Sequence, residues 1–232
     1  SWLILFWQFL ARSGKIPSYF LPAPYEVLKV FHQQAFILLK AASVSLLEAL
    51  IGLFLAIFTG GLTGLLLYRF RLLHFLFWPV LVLSQGLPTL VLAPLLILWF
   101  GYGIASKIIL VIIFLFFPIA TAMFDGLMHV NVLWLKLGRC MTKNQNAILW
   151  HIQLPAALAH LASGIRISSA GAMMAAIVGE WLGANQGLGF LLLESNARFQ
   201  TDEVFALTAT IIALSFLIYG SIHYLLKLMI RY

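Results

Sequence analysis

The chain has 232 residues, 63% of them hydrophobic and only 9% charged, with a formal net charge of +7. A soluble domain is about half apolar and roughly a quarter charged, and a fold of this length has too little interior to hide so much apolar surface. These figures exclude soluble, disordered and collagen-like chains, and the single cysteine, Cys140, excludes an intrachain disulfide and argues against a cysteine metal site. What remains is an integral membrane protein, and apolar runs of helical span length make it an all-α, polytopic membrane helix bundle. Its basic excess reads as charge at the ends of spans, and no nucleic acid is expected as a partner.

Six apolar segments follow in order. Residues 1–11 form the first. A crossing helix needs about twenty residues, so this one is expected to begin upstream of residue 1. Residues 12–34 are polar, with Pro17, Pro22 and Pro24, and 25–36 read as a short surface helix. The second span covers about 36–67 and stops at Tyr68-Arg69-Phe70-Arg71. The third, about 72–100, contains Ser84-Gln85-Gly86-Leu87-Pro88. A polar pair followed by Gly and Pro reads either as a break lining a cavity or as a kink absorbed by packing.

The turn 101–103 and Lys107 precede a fourth span, about 108–128. Residues 129–160 are the most polar stretch, expected to form one or two short helices that end at Leu154-Pro155. The chain then re-enters the membrane, with a fifth span at about 161–182, a polar connection over 183–203, and a sixth span at about 204–229. Lys and Arg number seven on the side of the 129–160 loop and six on the other, so charge bias leaves orientation open. Small residues recur every four positions at Gly52, Ala56, Gly60 and Gly64, and again at Gly171, Ala175, Gly179 and Gly183. Such stripes let helix backbones approach closely in a membrane.

Three acids lie within or at the edge of spans: Glu48, Asp125 and Glu180. Intramembrane charge is costly and normally faces a protein interior or a wet cavity. Glu48 either pairs with Lys40, two turns away, or faces a central pathway; Asp125, near a helix end, reads as structural. Glu180 beside Trp181 is either a carboxylate–indole pair suited to a polar, planar or cationic ligand, or an interfacial acid next to an interfacial aromatic. The candidate pathway residues are thus Glu48, Gln85, Glu180, Trp181 and Asn185.

Enzyme chemistry has little to stand on. The histidines at 32, 74, 129, 151, 160 and 223 stand singly, and no H-E-x-x-H, G-x-S-x-G or G-x-x-x-x-G-K-[ST] pattern occurs. Transport driven by ATP would therefore need a separate ATPase, with ATP and magnesium bound there and no cofactor in this chain. A rival reading is an ion-coupled secondary transporter or channel using Glu48 and Glu180.

The 129–160 stretch resembles the signature loop of permease subunits of binding-protein-dependent ABC importers. That loop reads E-A-A, three residues, Gly, nine residues, Ile, one residue, Leu-Pro. Ile152, Leu154 and Pro155 match its end, which places the triplet at Lys136-Leu137-Gly138 and the signature Gly at Thr142. The Glu and the Gly are therefore replaced. Leu21-Pro22-Ala23-Pro24, the run from Ala93-Pro94 to Gly103, and Leu154-Pro155-Ala156-Ala157-Leu158 through Gly164-Ile165-Arg166 are similar to the nitrate/sulfonate/taurine branch. Glu180-Trp181-Leu182-Gly183, Gly187-Leu188-Gly189-Phe190 and Asn196-Ala197-Arg198-Phe199-Gln200-Thr201-Asp202 resemble most the importers of pyrimidine thiamine precursors.

The resemblance implies a type I ABC importer permease fold of about six transmembrane helices. It implies one membrane domain over 1–232, with a cytoplasmic coupling loop at 129–160. The implied assembly contains a second permease chain, two ATPase subunits and an extracytoplasmic substrate-binding protein in the bacterial cytoplasmic membrane. It makes Lys136, Leu137, Gly138, Arg139, Thr142, Lys143, Ile152, Leu154 and Pro155 the coupling residues. Ile152, Leu154 and Pro155 are expected to form a rigid apolar knob, with Lys136, Arg139 and Lys143 at its rim. The substrate implied is a small polar solute, a pyrimidine thiamine precursor or, alternatively, a sulfonate, taurine or nitrate.

Overall fold

The computed structural model describes residues 6–9, 11, 17, 20–84, 86 and 89–229. In chain order its helices are α1 (Pro24–Gln33), α2 (Ala35–Arg69), α3 (Arg71–Ser84), α4 (Thr89–Phe100), α5 (Ile104–Met128), α6 (Val132–Met141) and α7 (Gln145–Ile148). A π-helical turn (Leu149–Gln153) leads into α8 (Leu154–Trp181), followed by α9 (Leu188–Ala197) and α10 (Thr201–Met229). Four of the described helical runs are long and apolar enough to cross a membrane: Ala35–Arg69, Ile104–Met128, Gln145–Trp181 and Thr201–Met229. At 1.5 Å per residue α2 is roughly 50 Å long, more than the hydrocarbon thickness, so its ends reach past the apolar layer.

The bundle is built on α5, which lies between α2 and α8. Val111, Leu115 and Ile119 of α5 meet Ala49, Leu53 and Ala56 on one side and Ala172, Met173 and Ala176 on the other. Close approach is the reason for the small-residue stripe. A Cβ at Gly52 would lie 2.4 Å from Val111 Cγ1, and one at Gly64 would lie 2.5 Å from the carbonyl oxygen of Ala120. Lipid tails are as apolar as leucine, so backbone proximity and van der Waals contact must hold such helices together. Gly64→Val is accordingly expected to destabilise the bundle by about 1–3 kcal/mol, read as a lower melting temperature in detergent; an unchanged melt would show that the α2–α5 seam can open without cost.

The exterior differs from that of a soluble protein. Large apolar side chains such as Phe54 and Phe58 on α2, and Phe216 and Leu217 on α10, are exposed, whereas Glu48, Lys107 and Glu180 are buried. An apolar exterior, with these few charges enclosed within the apolar core, suits lipid as the surrounding solvent.

Of the two readings of the third span, the structure has the break: α3 and α4, of 14 and 12 residues, are each too short to cross alone. α3 ends at Ser84 and α4 begins at Thr89; Gln85, Leu87 and Pro88 lie outside the described residues. One sequence expectation changes, that of Leu154-Pro155, which does not end a helix. The helical run is continuous from Gln145 to Trp181. Pro155 sits in the first turn of α8, directly after the π-helical turn, where a missing N–H is tolerated.

The surface helix expected near residue 25 is α1. Its Val27 and Val30 pack with Ala206 of α10, and the Glu26 carboxylate accepts from the Ala23 N–H at 2.9 Å. Gln34 Nε2 donates to Glu203, whose other oxygen accepts from Ser195 Oγ at 2.9 Å, tying α1, α9 and α10 together.

Candidate functional site

Two arrangements of polar residues stand out, one at each end of the bundle. At the end away from the 129–160 loop, Lys107 Nζ on α5 donates to Glu48 Oε1 on α2 at 2.8 Å. Lys107 is 8% exposed and Glu48 1%. Lys40 is not the partner. Eight residues along one helix separate it from Glu48 by about 12 Å, and its side chain is exposed instead. Lys107, the lysine that opens an apolar run, is the partner of Glu48 that sequence reasoning passed over. Its signal was the need of a buried acid for a cation on another helix.

Glu180 lies against the same cluster. Its Oε1 accepts from Ser45 Oγ at 2.5 Å and its Oε2 from the Gly189 N–H at 2.5 Å; Ser45 Oγ in turn accepts from the Leu188 N–H at 2.9 Å. Leu188 and Gly189 open α9, and the first N–H groups of a helix have no partner within it. A carboxylate there satisfies a donor and opposes the helix dipole. Gly187 makes the geometry possible. Its φ is +111°, and a Cβ on it would lie 2.2 Å from Glu180 Oε1. The chain thus wraps its own backbone around the Glu180 carboxylate.

Of the candidate pathway residues, the fold brings Glu48 and Glu180 together in the interior, 1% exposed each. Each Glu180 oxygen accepts from one of the chain's own donors, so the acid caps the start of α9, and it is buried rather than interfacial. Trp181 is exposed. Asn185 lines a pocket of about 140 Å³ with Lys40, Gln186 and the apolar Ile37, Val44 and Phe190. Gly187 lines this pocket too and joins it to the Glu180 cradle.

At the other end, residues 129–160 form a helix–turn–helix closed by side-chain caps. Asn131 Oδ1 accepts from Leu133 N at 2.9 Å at the start of α6. Thr142 Oγ1 accepts from Asn144 N at 3.1 Å, and Asn144 Oδ1 from Asn146 N at 3.0 Å, which starts α7. Thr142 has φ −152°, extended backbone open to any residue, so the signature Gly is not required there. The small residue that the hairpin does require is Gly138: a Cβ there would lie 2.5 Å from Ile152 Cδ1.

Ile152 is therefore turned onto α6, and Leu154 packs against the cluster of Met123, Leu127, Leu149 and Ala157. This corrects the expectation that Ile152 and Leu154 form the apolar knob. They close the hairpin, and only Pro155 of that trio is exposed. The outward apolar face is on α6 itself. Leu133, Trp134, Leu137 and Met141 are all exposed, and their spacing sets them on one side of the helix. Lys136, Arg139 and Lys143 are exposed around it. Among the described residues no group of His, Cys, Asp and Glu has the geometry of a metal site.

The model for the binding-protein-dependent transport system inner membrane component matches residues 50–231. The chain belongs to this family. The permease is 39% identical to a probable ABC transporter permease protein of Haemophilus influenzae, over 97% of this chain and 91% of the relative. It is 34% identical to the formylaminopyrimidine transport permease protein ThiX of Halalkalibacterium halodurans, over 88% and 82%. The taurine transport system permease protein TauC of Escherichia coli is 28% identical, over 93% and 81%.

Among solved structures the permease superposes on an inward-facing MetNI methionine ABC transporter chain. The TM-score is 0.74, with 17% identity over 86% of this chain and 99% of the other. That likeness shows the type I importer permease fold. The permease is a multi-pass membrane subunit of an ABC importer and is not itself an enzyme.

Proposed function

We propose that this permease forms, with a second permease chain, the pathway by which a bacterial cytoplasmic membrane imports a pyrimidine thiamine precursor. Two ATPase subunits, which bind ATP and magnesium, dock on the 129–160 loops, and an extracytoplasmic binding protein delivers the solute. ATP-driven closure of the ATPase pair draws the loops together and opens the pathway outward; hydrolysis resets it. The observation that carries this reading is the exposed apolar face of α6, held outside the spans by caps at Asn131, Thr142 and Asn144. An aromatic and aliphatic anchor with a basic rim is what a protein partner buries.

For the substrate, the support is the 34% identity to a formylaminopyrimidine permease and the Glu180-to-Asp202 motif series. Sulfonate and taurine permeases at 28% identity define the alternative, a sulfonate, taurine or nitrate permease.

The test is co-purification of the tagged permease with its cell's ATPase, followed by uptake of formylaminopyrimidine and taurine in vesicles. Leu137→Asp is expected to cut ATPase recovery about tenfold or more, as loss of a buried interface anchor does, while the permease still elutes as a single peak. Wild-type uptake of the pyrimidine and not of taurine supports the substrate assignment; taurine uptake moves it to the alternative. ATPase recovery unchanged by Leu137→Asp sinks α6 as the docking element.

A further inference from the structure

At the loop end of the bundle, Tyr68 and Arg69 of α2, Arg139 of α6, Gln145 of α7, and Leu149 and Gln153 of the π-helical turn surround a pocket of about 190 Å³. None of these residues is acidic. Arg139 has no hydrogen-bond or ion-pair partner among the described residues, and Arg69 makes a single bond, to Asn146 Oδ1 at 3.3 Å. Gln153, 9% exposed, donates through Nε2 to the Tyr68 hydroxyl at 2.6 Å. With its oxygen accepting that bond, the Tyr68 O–H is left as a donor. The pocket therefore presents two guanidinium groups and a phenol, with no negative charge to neutralise them.

Two arginines with a hydroxyl donor match the oxygens of a phosphate group better than a single carboxylate. The position points to the source of that phosphate. Arg69 is the last residue of a spanning helix, and Tyr68 beside it is the aromatic type found at membrane boundaries. Leu62 and Leu66 lie seven and three residues before Arg69, on the same face of α2, and are exposed. An apolar track thus runs from the pocket toward the membrane interior. A free phosphate has no use for it, whereas the acyl chain of a lipid whose head occupies the pocket would lie along it.

We infer that this pocket binds the phosphate of an anionic phospholipid, so that one lipid head bridges the end of α2 to the loop helix α6. Basic pockets between spanning helices hold lipid heads by this combination of charge and depth.

Native mass spectrometry of the full permease, extracted in mild detergent and titrated with phosphatidylglycerol, reads the binding directly. Retained lipid is expected to fall about tenfold in the Arg69→Gln/Arg139→Gln double variant, since each lost guanidinium removes charge-assisted hydrogen bonds. Arg71→Gln, an exposed boundary arginine outside the pocket, is expected to retain lipid like wild type. Gln145→Glu adds a carboxylate to the rim while keeping both arginines, and should lower retention as well, so the result does not hinge on one variant's folding.

Displacement of the lipid by inorganic phosphate, with the same dependence on Arg69 and Arg139, keeps the phosphate site and makes free phosphate its source. Equal lipid retention by all four proteins overturns the inference. So does a double variant that holds lipid like wild type, whatever its effect on ATPase recovery, which Arg139 at the docking rim can alter by itself.

Discussion

Lys107→Met is expected to cost the folded permease about 3–5 kcal/mol, the penalty of leaving a buried acid without its cation. Glu48 is 1% exposed, and its Oε2 is buried without a hydrogen-bond partner, so the bond from Lys107 to Oε1 is its one compensating contact from a cation. Removing it leaves a carboxylate in a low-dielectric interior with no cation beside it. The double replacement Lys107→Met/Glu48→Leu is expected to recover most of the loss, since an apolar pair of similar volume often does as well as a buried ion pair.

Thermal melting of the detergent-purified proteins checks both statements. A single variant that melts like wild type would mean that Glu48 finds water or another donor. A double variant as unstable as the single would mean that the pair's shape, not its charge, is what α2 and α5 require. Uptake by the double variant separates stability from transport. Normal uptake would make the pair structural, and a stable but inactive double variant would place it on the solute's route.

Gly187→Ala is the second large effect. At φ +111° an alanine is strained by itself, and its Cβ would stand 2.2 Å from Glu180 Oε1. The backbone must move, which withdraws the Leu188 and Gly189 N–H groups from Ser45 and Glu180. Two buried donors left unpaired cost about 1–3 kcal/mol each. The expected result is a chain cleaved rapidly by protease within residues 183–200 while the α2–α5–α8 core resists.

Glu180→Gln is expected to be milder. An amide oxygen still accepts one of the two bonds, so cleavage should fall between wild type and Gly187→Ala. If Glu180→Gln instead leaves the segment fully protected and abolishes uptake, the carboxylate contacts solute as well as capping α9.

The two ends of the molecule were legible in the sequence to different degrees. Span positions followed from apolar length, and the Gly52–Gly64 stripe foretold a backbone-close helix pair, though not that α5 would be its partner. The interruption at Ser84–Pro88 was visible because Gly and Pro act locally. The fate of Pro155 was not, because the π-helical turn before it carries one helical run through the proline, and nothing in the sequence of Leu149–Gln153 announces such a turn. Reading Ile152 and Leu154 as a knob assumed that apolar loop residues point outward. Gly138, fourteen residues before Ile152 in the chain, is what lets Ile152 turn in, and Leu154 turns onto Met123 and Leu127 of α5.

Composition determined that this chain lives in a membrane, because 63% apolar residues leave no soluble alternative, and the length of its apolar runs made it a helical bundle. Motif order determined the family, since those short runs specify local backbone and the loop's chemistry. Only the tertiary structure decided which charges meet: Glu48 with Lys107 across 59 residues, and Glu180 with Ser45 across 135. Long-range pairing depends on helix register and crossing, and no local property of the sequence carries that information.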